Sequence, residues 1–409
     1  MADSDIGFTP GARHISMRLL LSYALDWLAL IVVAAIAALL GRIEPNKRPF
    51  SLVDPDISFP FTAHETVPPY LLLTLSAVIP ICVIAIVSLV FVPGPTVPKD
   101  TPKALVWKRK LWELHVGWLG LALALISAWF FTEGMKNMYG KPRPDLLSRC
   151  EPDVEDAQKY VVGGYAGESI NGQLFSADIC QQKDSHKLND GFRSYPSGHS
   201  SFSAAGLIYT SLFLASKFAV TIPFVVPASV SAGSTTHAAF PSRMHSEVDH
   251  YSVFASPSRC APIYLLVITL MPFCVAVFVA SSRWFDFRHH GFDILFGFLM
   301  GTITSIYAFR YYHLPIQEGA GWAWGHRSED RAFWAGVGRL GYVGDAGNLP
   351  EQSESHHQDL GAPLTVTPSA FTQRPVNIDH DDHESRQFPS LELQRIGSRD
   401  YLEERSIYG

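Results

Sequence analysis

Three short clusters concentrate the histidine, cationic and carboxylate side chains of this sequence that could do chemistry. The first runs from Lys136 to Arg143-Pro144, the second is Pro196-Ser197-Gly198-His199, and the third runs from Ser282-Arg283 through His289 to Asp293. Lys136, Arg143 and Arg283 supply three positive charges that match a phosphoryl group, and arginine offers a planar fork to its oxygens. Taken alone, each cation is more typical of a side chain that reaches lipid headgroups from the end of a membrane helix.

The Ser197-Gly198-His199 cluster lies where a helix is predicted to begin. The first backbone N–H groups of a helix and the positive end of its dipole bind anions. Gly198 permits close backbone approach, and the Ser197 hydroxyl can donate a hydrogen bond. An ordinary N-cap by Ser197 accounts for the same residues about as well.

The third cluster pairs a histidine with a carboxylate. His289 and Asp293 are four residues apart, which places them on one face of a helix. A carboxylate that accepts from Nδ1–H would fix the tautomer and leave Nε2 of His289 free as a nucleophile. A lone histidine more often has a structural role, but the pairing with Asp293 and the neighbouring Arg283 favour a functional role for His289. His290 is only three residues from Asp293, and this spacing disfavours it as the partner of Asp293.

The elements that must position these clusters follow from composition. Of the 409 residues, 47% are hydrophobic and only 17% are charged, against about 25% charged in an ordinary soluble protein. This deficit indicates a membrane protein and argues against a disordered chain or a nucleic-acid binder, which need a charge excess. Residues 312–409 hold 8 basic and 15 acidic side chains, so the formal net charge of −6 belongs to this tail.

Six apolar stretches approach the ~20 residues that cross a bilayer as a helix. They are 17–40, 70–92, 111–132, 200–222, 262–281 and 291–310. We therefore predict an all-α integral membrane protein with six transmembrane helices and an active site at the mouth of the bundle. The first stretch is longer than a signal-peptide core and is expected to be retained. Asp26 within it should form a structural hydrogen bond between helices.

Basic residues in the 93–110 connection predict that this loop is cytoplasmic. Both termini then share that side, whereas all three clusters face the lumen or the exterior. On that outward side Cys150 and Cys180 could form a disulfide, with two free thiols as the open alternative. The predicted domains are a cytoplasmic segment 1–16, a six-span domain 17–311, and a cytoplasmic, acidic and largely disordered tail 312–409.

The three clusters resemble the signature motifs of the type 2 phosphatidic acid phosphatase superfamily, the lipid phosphate phosphatases. The family pattern is Lys-x6-Arg-Pro, then Pro-Ser-Gly-His, then Ser-Arg-x5-His-x3-Asp, and this sequence matches each without a departure and in the same order. The resemblance covers approximately residues 15–312. Asp26-Trp27 is also similar to the fungal branch, which includes diacylglycerol pyrophosphate phosphatases.

The resemblance implies a role for each motif residue. His289 would attack phosphorus and become a phosphohistidine, Asp293 would orient it, and His199 would protonate the leaving oxygen and then activate water. The implied phosphate-binding residues are Lys136, Arg143, Ser197, Gly198 and Arg283. Since these protein cations neutralise the phosphate, no metal and no cofactor is expected.

The expected activity is magnesium-independent hydrolysis of phosphatidate, lysophosphatidate and diacylglycerol pyrophosphate, with membrane lipids and no nucleic acid as partners. One alternative is a phosphatase of sphingoid-base phosphates or polyprenyl pyrophosphates in the same superfamily. Another is a catalytically silent scaffold that binds lipid phosphates, which the intact histidines disfavour. The expected location is an endomembrane (vacuole, ER or Golgi) or the plasma membrane, and a homo-oligomer is left open. Asp54-Pro-Asp56 resembles a magnesium-dependent phosphatase motif but is better explained as a turn.

Overall fold

A computed structural model describes residues 16–94, 97, 101–165, 172–218, 220, 262–314, 316, 322–325, 327 and 332–333. The predictions for residues 1–15, for the 223–261 loop and for the acidic tail from residue 334 onward lie outside these residues.

Helices make up most of the described chain. The long ones are α1 (Met17–Leu40), α2 (Pro69–Phe91), α3 (Lys103–Tyr139), α6 (Gly198–Lys217), α7 (Ile263–Phe285) and α8 (Gly291–Tyr312). Within α2 the backbone widens into π-helical turns at Thr74–Val78 and Val87–Phe91. Two short helices, α4 (Leu146–Cys150) and α5 (Ser185–Gly191), and an antiparallel pair of strands, β1 (Val161–Gly164) and β2 (Gln173–Phe175), lie between α3 and α6.

Five helices within the described residues are long and apolar enough to cross a membrane: α1, α2, α3, α7 and α8. They carry large exposed apolar side chains, such as Ile31 on α1 and Met271 on α7, which water would not favour but lipid does. The chain is therefore a multi-pass membrane protein. Helix α3 extends beyond both ends of the predicted 111–132 span, so residues 103–110 of the expected 93–110 loop are helical.

Helix α6 corresponds to the predicted 200–222 span but is not among the five. Its buried face is rich in hydroxyl groups, which lower its hydropathy: Ser200, Ser201, Ser203, Thr210, Ser211 and Ser216. Small polar residues are favoured between membrane helices because they let backbones approach closely. Accordingly α6 packs against α8, α7 and α3 at the centre of the bundle.

Three glycines set how closely the helices around α6 approach it. A Cβ atom on Gly297 of α8 would lie 2.5 Å from the Ser197 carbonyl oxygen, and one on Gly301 would clash with the Ser201 carbonyl oxygen. On the other side, Gly206 of α6 lies against the backbone of α2 at Ser76. Side chains at these positions would force the backbones apart, so the glycines determine the helix spacing.

A small lobe with its own apolar core covers one end of the helices. Its buried residues are Phe50, Ile57, Leu146, Cys150, Phe175, Ala177, Ile179 and Phe192. Cys150 and Cys180, left open from the sequence, are joined by a disulfide, and Phe50 pairs with Phe175 by backbone hydrogen bonds in both directions. The Asp54-Pro-Asp56 segment is a turn, in which the Asp56 N–H donates to Asp54 Oδ1 at 2.9 Å.

The opposite end of the bundle is closed by residues that follow α8. Glu113 is fully buried and accepts from Lys217 Nζ at 2.5 Å and from the backbone N–H of Ala323 at 3.0 Å. Asp26 pairs with Arg327 at 2.6 Å. Asp26 thus has the predicted polar partner, but the prediction of a bond between helices is wrong, because the partner comes from the chain that folds back after α8.

Replacing Gly297 by alanine tests the close packing of α6 and α8. The added Cβ must push against the backbone of Ser197, so we expect a loss of about 1–3 kcal/mol in unfolding free energy, the usual cost of overpacking. Thermal unfolding in detergent measures this. Gly163→Ala is the control, because a Cβ there meets no atom within 4 Å. Equal stability of the two variants would contradict the assigned role of Gly297.

Candidate active site

The three sequence clusters meet at the lobe-covered end of the helices. Lys136 lies in the last turn of α3, and Ser197 and Gly198 begin α6. Arg283 lies in the last turn of α7, and Asp293 in the first turn of α8. Consecutive long helices run in opposite directions, so α3 and α7 end on the side of the bundle where α6 and α8 begin.

Direct contacts join the clusters. A Cβ on Gly198 would lie 2.9 Å from Lys136 Nζ, so the ammonium group rests against the start of α6. One turn further into the bundle, Thr132 Oγ1 and Ser201 Oγ are 2.8 Å apart and tie α3 to α6. The Ser197 N–H donates to the Asp293 carbonyl oxygen at 3.0 Å and ties α6 to α8. The three motif segments are therefore joined by direct contacts between α3, α6 and α8.

His289 is buried, with 3% of its surface exposed, and its Nδ1 lies 2.6 Å from the Ser194 carbonyl oxygen. A carbonyl only accepts, so Nδ1 must carry the proton and Nε2 keeps its lone pair. Burial holds the pKa of His289 well below its usual value, and the charges of Arg143 and Lys136 lower it further. The ring is thus held as the neutral tautomer that can act as a nucleophile at Nε2.

The predicted pairing of His289 with Asp293 is wrong. Helix α8 begins only at Gly291, so His289 precedes the helix and the four-residue spacing does not bring the two side chains together. The buried Asp293 carboxylate instead accepts from Ser194 Oγ at 2.6 Å and from Lys141 Nζ at 2.8 Å. The connection between Asp293 and His289 is therefore indirect and runs through Ser194, whose hydroxyl binds Asp293 and whose carbonyl contacts the ring.

His290, which spacing disfavoured, does contact Asp293. It is the N-cap of α8, and its backbone N–H donates to Asp293 Oδ2 at 3.3 Å. Its Nδ1 lies 3.2 Å from the same oxygen. The capping box explains this contact, because an N-cap and the residue three positions later bond reciprocally.

His199 and Arg283 share a backbone acceptor in the segment before α2. His199 Nε2 lies 3.0 Å from the Val67 carbonyl oxygen, and Arg283 NH2 donates to it at 3.1 Å. Arg283 NH1 also donates to Glu65 at 2.7 Å, and Glu65 binds Arg288 as well. Nε2 of His199 therefore carries a proton, because its neighbour is an obligate acceptor.

Arg143 belongs to a second group of charges on the lobe. Its NH2 donates to Asp190 Oδ1 at 2.8 Å, and Arg149 NH1 donates to Asp190 Oδ2 at 2.9 Å. Burial raises the pKa of Asp190, but the charges of Arg143, Arg149 and Lys136 together outweigh it and the net shift is downward. For Asp145, burial prevails over Arg149 and Arg143, and its pKa is raised. Asp190 is thus the carboxylate that orients Arg143.

Sequence reasoning missed Glu65, Asp190 and Ser194, which hold the motif side chains in place. Ser194 precedes the second motif by two residues and could have been noticed as a polar neighbour. Glu65 lies in a loop and Asp190 in the short helix α5, and neither belongs to a recognisable sequence pattern. Their roles arise only because the lobe folds onto the helix ends.

The chain is similar to known proteins over the part that contains these residues. Residues 117–316 match the PAP2 superfamily. Diacylglycerol pyrophosphate phosphatase 1 of Saccharomyces cerevisiae is 28% identical over 275 residues, which cover 67% of this chain and 74% of that protein. A probable diacylglycerol pyrophosphate phosphatase 1 of Schizosaccharomyces pombe is 29% identical over 276 residues, 67% of this chain and 75% of that protein. Lipid phosphate phosphatase 2 of Arabidopsis thaliana is 26% identical over 300 residues, 73% of this chain and 79% of that protein.

No solved structure matches the chain. The superfamily match runs from the middle of α3 to the end of α8, and so contains every motif residue from Lys136 to Asp293. The match covers 200 of the 409 residues, and over this part the chain is similar to the PAP2 superfamily.

Proposed function

We propose that this protein is a metal-independent lipid phosphate phosphatase that works through a phosphohistidine at His289. This proposal rests on the buried His289 ring, whose Nδ1 lies on the Ser194 carbonyl, whose Nε2 has no hydrogen-bond partner within the described residues, and whose pKa is lowered by the charges of Arg143 and Lys136. Apolar helices bearing this site suit a substrate whose acyl chains stay in the bilayer. Its substrates are phosphatidate, lysophosphatidate and diacylglycerol pyrophosphate, and the names of the fungal relatives support the last of these.

In the first step, Nε2 of His289 attacks phosphorus while the bond from phosphorus to the leaving oxygen breaks. His199 enters this step protonated on both ring nitrogens, a state that the negative charge of the bound phosphate favours. It gives its Nε2 proton to that oxygen, which leaves as the lipid alcohol, or as phosphatidate when the substrate is the pyrophosphate. This transfer requires His199 to exchange its bond with the Val67 carbonyl for one with the substrate. Such tightening on substrate binding is common for catalytic hydrogen bonds.

In the second step, water attacks the phosphohistidine. His199, now neutral, takes a proton from the water as the new P–O bond forms and the N–P bond breaks. Inorganic phosphate leaves, and both histidines return to their starting protonation states. Asp293 stays ionised throughout, bound to Lys141 and Ser194, and positions the nucleophile through Ser194.

The phosphoryl oxygens are bound by the start of α6 and by the cations around it. Gly198 presents its N–H at the helix N-terminus beside Lys136. Arg143 donates to Asp190 through NH2, while its buried Nε has no hydrogen-bond partner within the described residues. That unused donor, with Ser197 and Arg283, completes the proposed phosphate site.

A sphingoid-base phosphate or polyprenyl pyrophosphate remains the alternative substrate class, and a silent lipid-phosphate-binding scaffold the alternative function. We further propose six spans, with α6 as the fourth, and a phosphatase domain over residues 17–311. The site opens at the mouth of the bundle toward the lumen of an endomembrane compartment or the exterior.

Phosphate release from dioctanoyl phosphatidate, by purified protein in detergent micelles with EDTA, tests the function. We expect activity that persists in EDTA and is lost in His289→Ala, because no other described group replaces the nucleophile. His186→Ala, an exposed histidine of the lobe, is the control and should keep full activity. Activity that disappears in EDTA, or survives in His289→Ala, would overturn the proposal.

Ser194→Ala and Asp293→Asn test the indirect link to the nucleophile. Ser194→Ala keeps the carbonyl but loses the hydroxyl that holds Asp293, so we expect kcat to fall roughly 10- to 100-fold, as for loss of an outer-shell partner. The double variant should be little worse than Asp293→Asn, since both act on one connection. Full activity in Ser194→Ala would contradict the link from Asp293 to His289 through Ser194.

The pH dependence of kcat/KM tests whether the charge of Arg143 lowers the pKa of His289. The charge of Arg143 lowers the pKa of His289, so Arg143→Met should raise that pKa. The acidic limb, where His289 gains a proton and loses nucleophilicity, should then move to higher pH. Lys159→Met, at an exposed lysine of the lobe, should leave the limb in place. The idea fails if the limb of Arg143→Met does not move, whatever its maximal rate.

A further inference from the structure

An apolar groove lies within the bundle between α1, α2, α3 and α6. Its volume is about 400 Å³, and it is lined by Trp27, Ile81, Trp118, Leu121, Ala122, Leu125, Ile126, Trp129 and Phe202. All nine side chains are hydrophobic, and the indole N–H of Trp118 is already used by the Ile81 carbonyl at 3.1 Å. Ile81 is 43% exposed, so the groove reaches the lipid-facing surface.

The groove continues the same helix faces that carry the proposed phosphate site. On α3, Trp129 precedes Lys136 by seven residues, which is two turns along one face. On α6, Phe202 follows Gly198 by four residues, which is one turn along one face. Because Lys136 Nζ rests against Gly198, both walls of the groove converge on one point of the site.

The depth of the groove suits half a bilayer. From Trp129 to Trp118 is eleven residues, or roughly 16 Å at 1.5 Å per helical residue. The hydrocarbon core of a bilayer is about 30 Å thick, so the groove spans about one leaflet, the depth of one acyl chain. Its upper end is separated from Lys136 by about two helical turns, where Thr132 and Ser201 meet.

We propose that this groove holds one acyl chain of the lipid phosphate while its phosphoryl group lies at Lys136 and Gly198. The inference rests on the proposed function, since it assigns the chain of that same substrate. A phosphate bound at the convergence of the two helix faces has the apolar groove about two helical turns below it, beyond the contact of Thr132 with Ser201. Trp27, Ala122 and Trp129 become the residues that determine chain-length preference.

Filling the groove tests this proposal. Ala122→Phe places a ring in the lining, whereas Ala29→Phe places the same ring on the exposed side of α1. For each variant, kcat/KM is measured with dihexanoyl and with dioleoyl phosphatidate in the same detergent micelles. We expect the dioleoyl-to-dihexanoyl ratio to fall about tenfold in Ala122→Phe, equivalent to the loss of one to two buried methylene groups. The ratio in Ala29→Phe should not change.

The outcomes distinguish failure of the acyl-chain site from failure of the proposed phosphatase function. An unchanged ratio in Ala122→Phe, or an equal fall with both lipids, overturns the acyl-chain site and leaves the phosphatase intact. Failure of the unmodified protein to hydrolyse dihexanoyl phosphatidate overturns the proposed function itself.

Photocrosslinking provides a second readout that does not depend on how Ala122→Phe folds. A phosphatidate with a diazirine in the middle of one acyl chain should label the peptide from Trp118 to Trp129 in the unmodified protein. Excess dioleoyl phosphatidate should compete for that label. Labelling confined to the exposed faces of α7 and α8 would mean that the chain lies elsewhere and would overturn the proposal.

Discussion

The close approach of α8 to α6 is the constraint on which the candidate site depends. Gly297 and Gly301 let the two backbones meet at Ser197 and Ser201, where any side chain would collide with a carbonyl oxygen. That spacing allows the Ser197 N–H to bind the Asp293 carbonyl, and it places the turn carrying His289 under Ser194. Lipid provides no hydrophobic drive between helices, so close packing and short hydrogen bonds must supply the association.

At the lobe-covered end of the helices, the buried arginines are paired with carboxylates. Arg283 is held by Glu65 and Asp286, and Arg143 by Asp190. Each pairing offsets part of the cost of burying a charge, and it also fixes the direction of the guanidinium group. A buried arginine has more donors than one carboxylate can use, so it can bind an anion without losing its partner. The lobe, closed by its disulfide, supplies Asp190 and the carbonyl of Ser194.

Most of the architecture could be predicted from the sequence. Five predicted spans are helices of sufficient length and apolarity, and the motif residues lie together because alternate helix ends meet. The fourth stretch differs because its hydroxyl groups serve contacts with other helices rather than with lipid. The pairing of His289 with Asp293 was predicted wrongly because spacing rules assume an unbroken helix, and the boundary at Gly291 intervenes.

The sequence by itself determined which residues are chemically suited to phosphoryl transfer and that apolar helices carry them, because residue type and period are local properties. Only the tertiary structure decided how those residues are held. Ser194 links Asp293 to His289, Glu65 orients Arg283, and the groove from Trp118 to Trp129 leads away from Lys136. These contacts join segments far apart in the chain, so they depend on how closely the backbones pack, which no local pattern records.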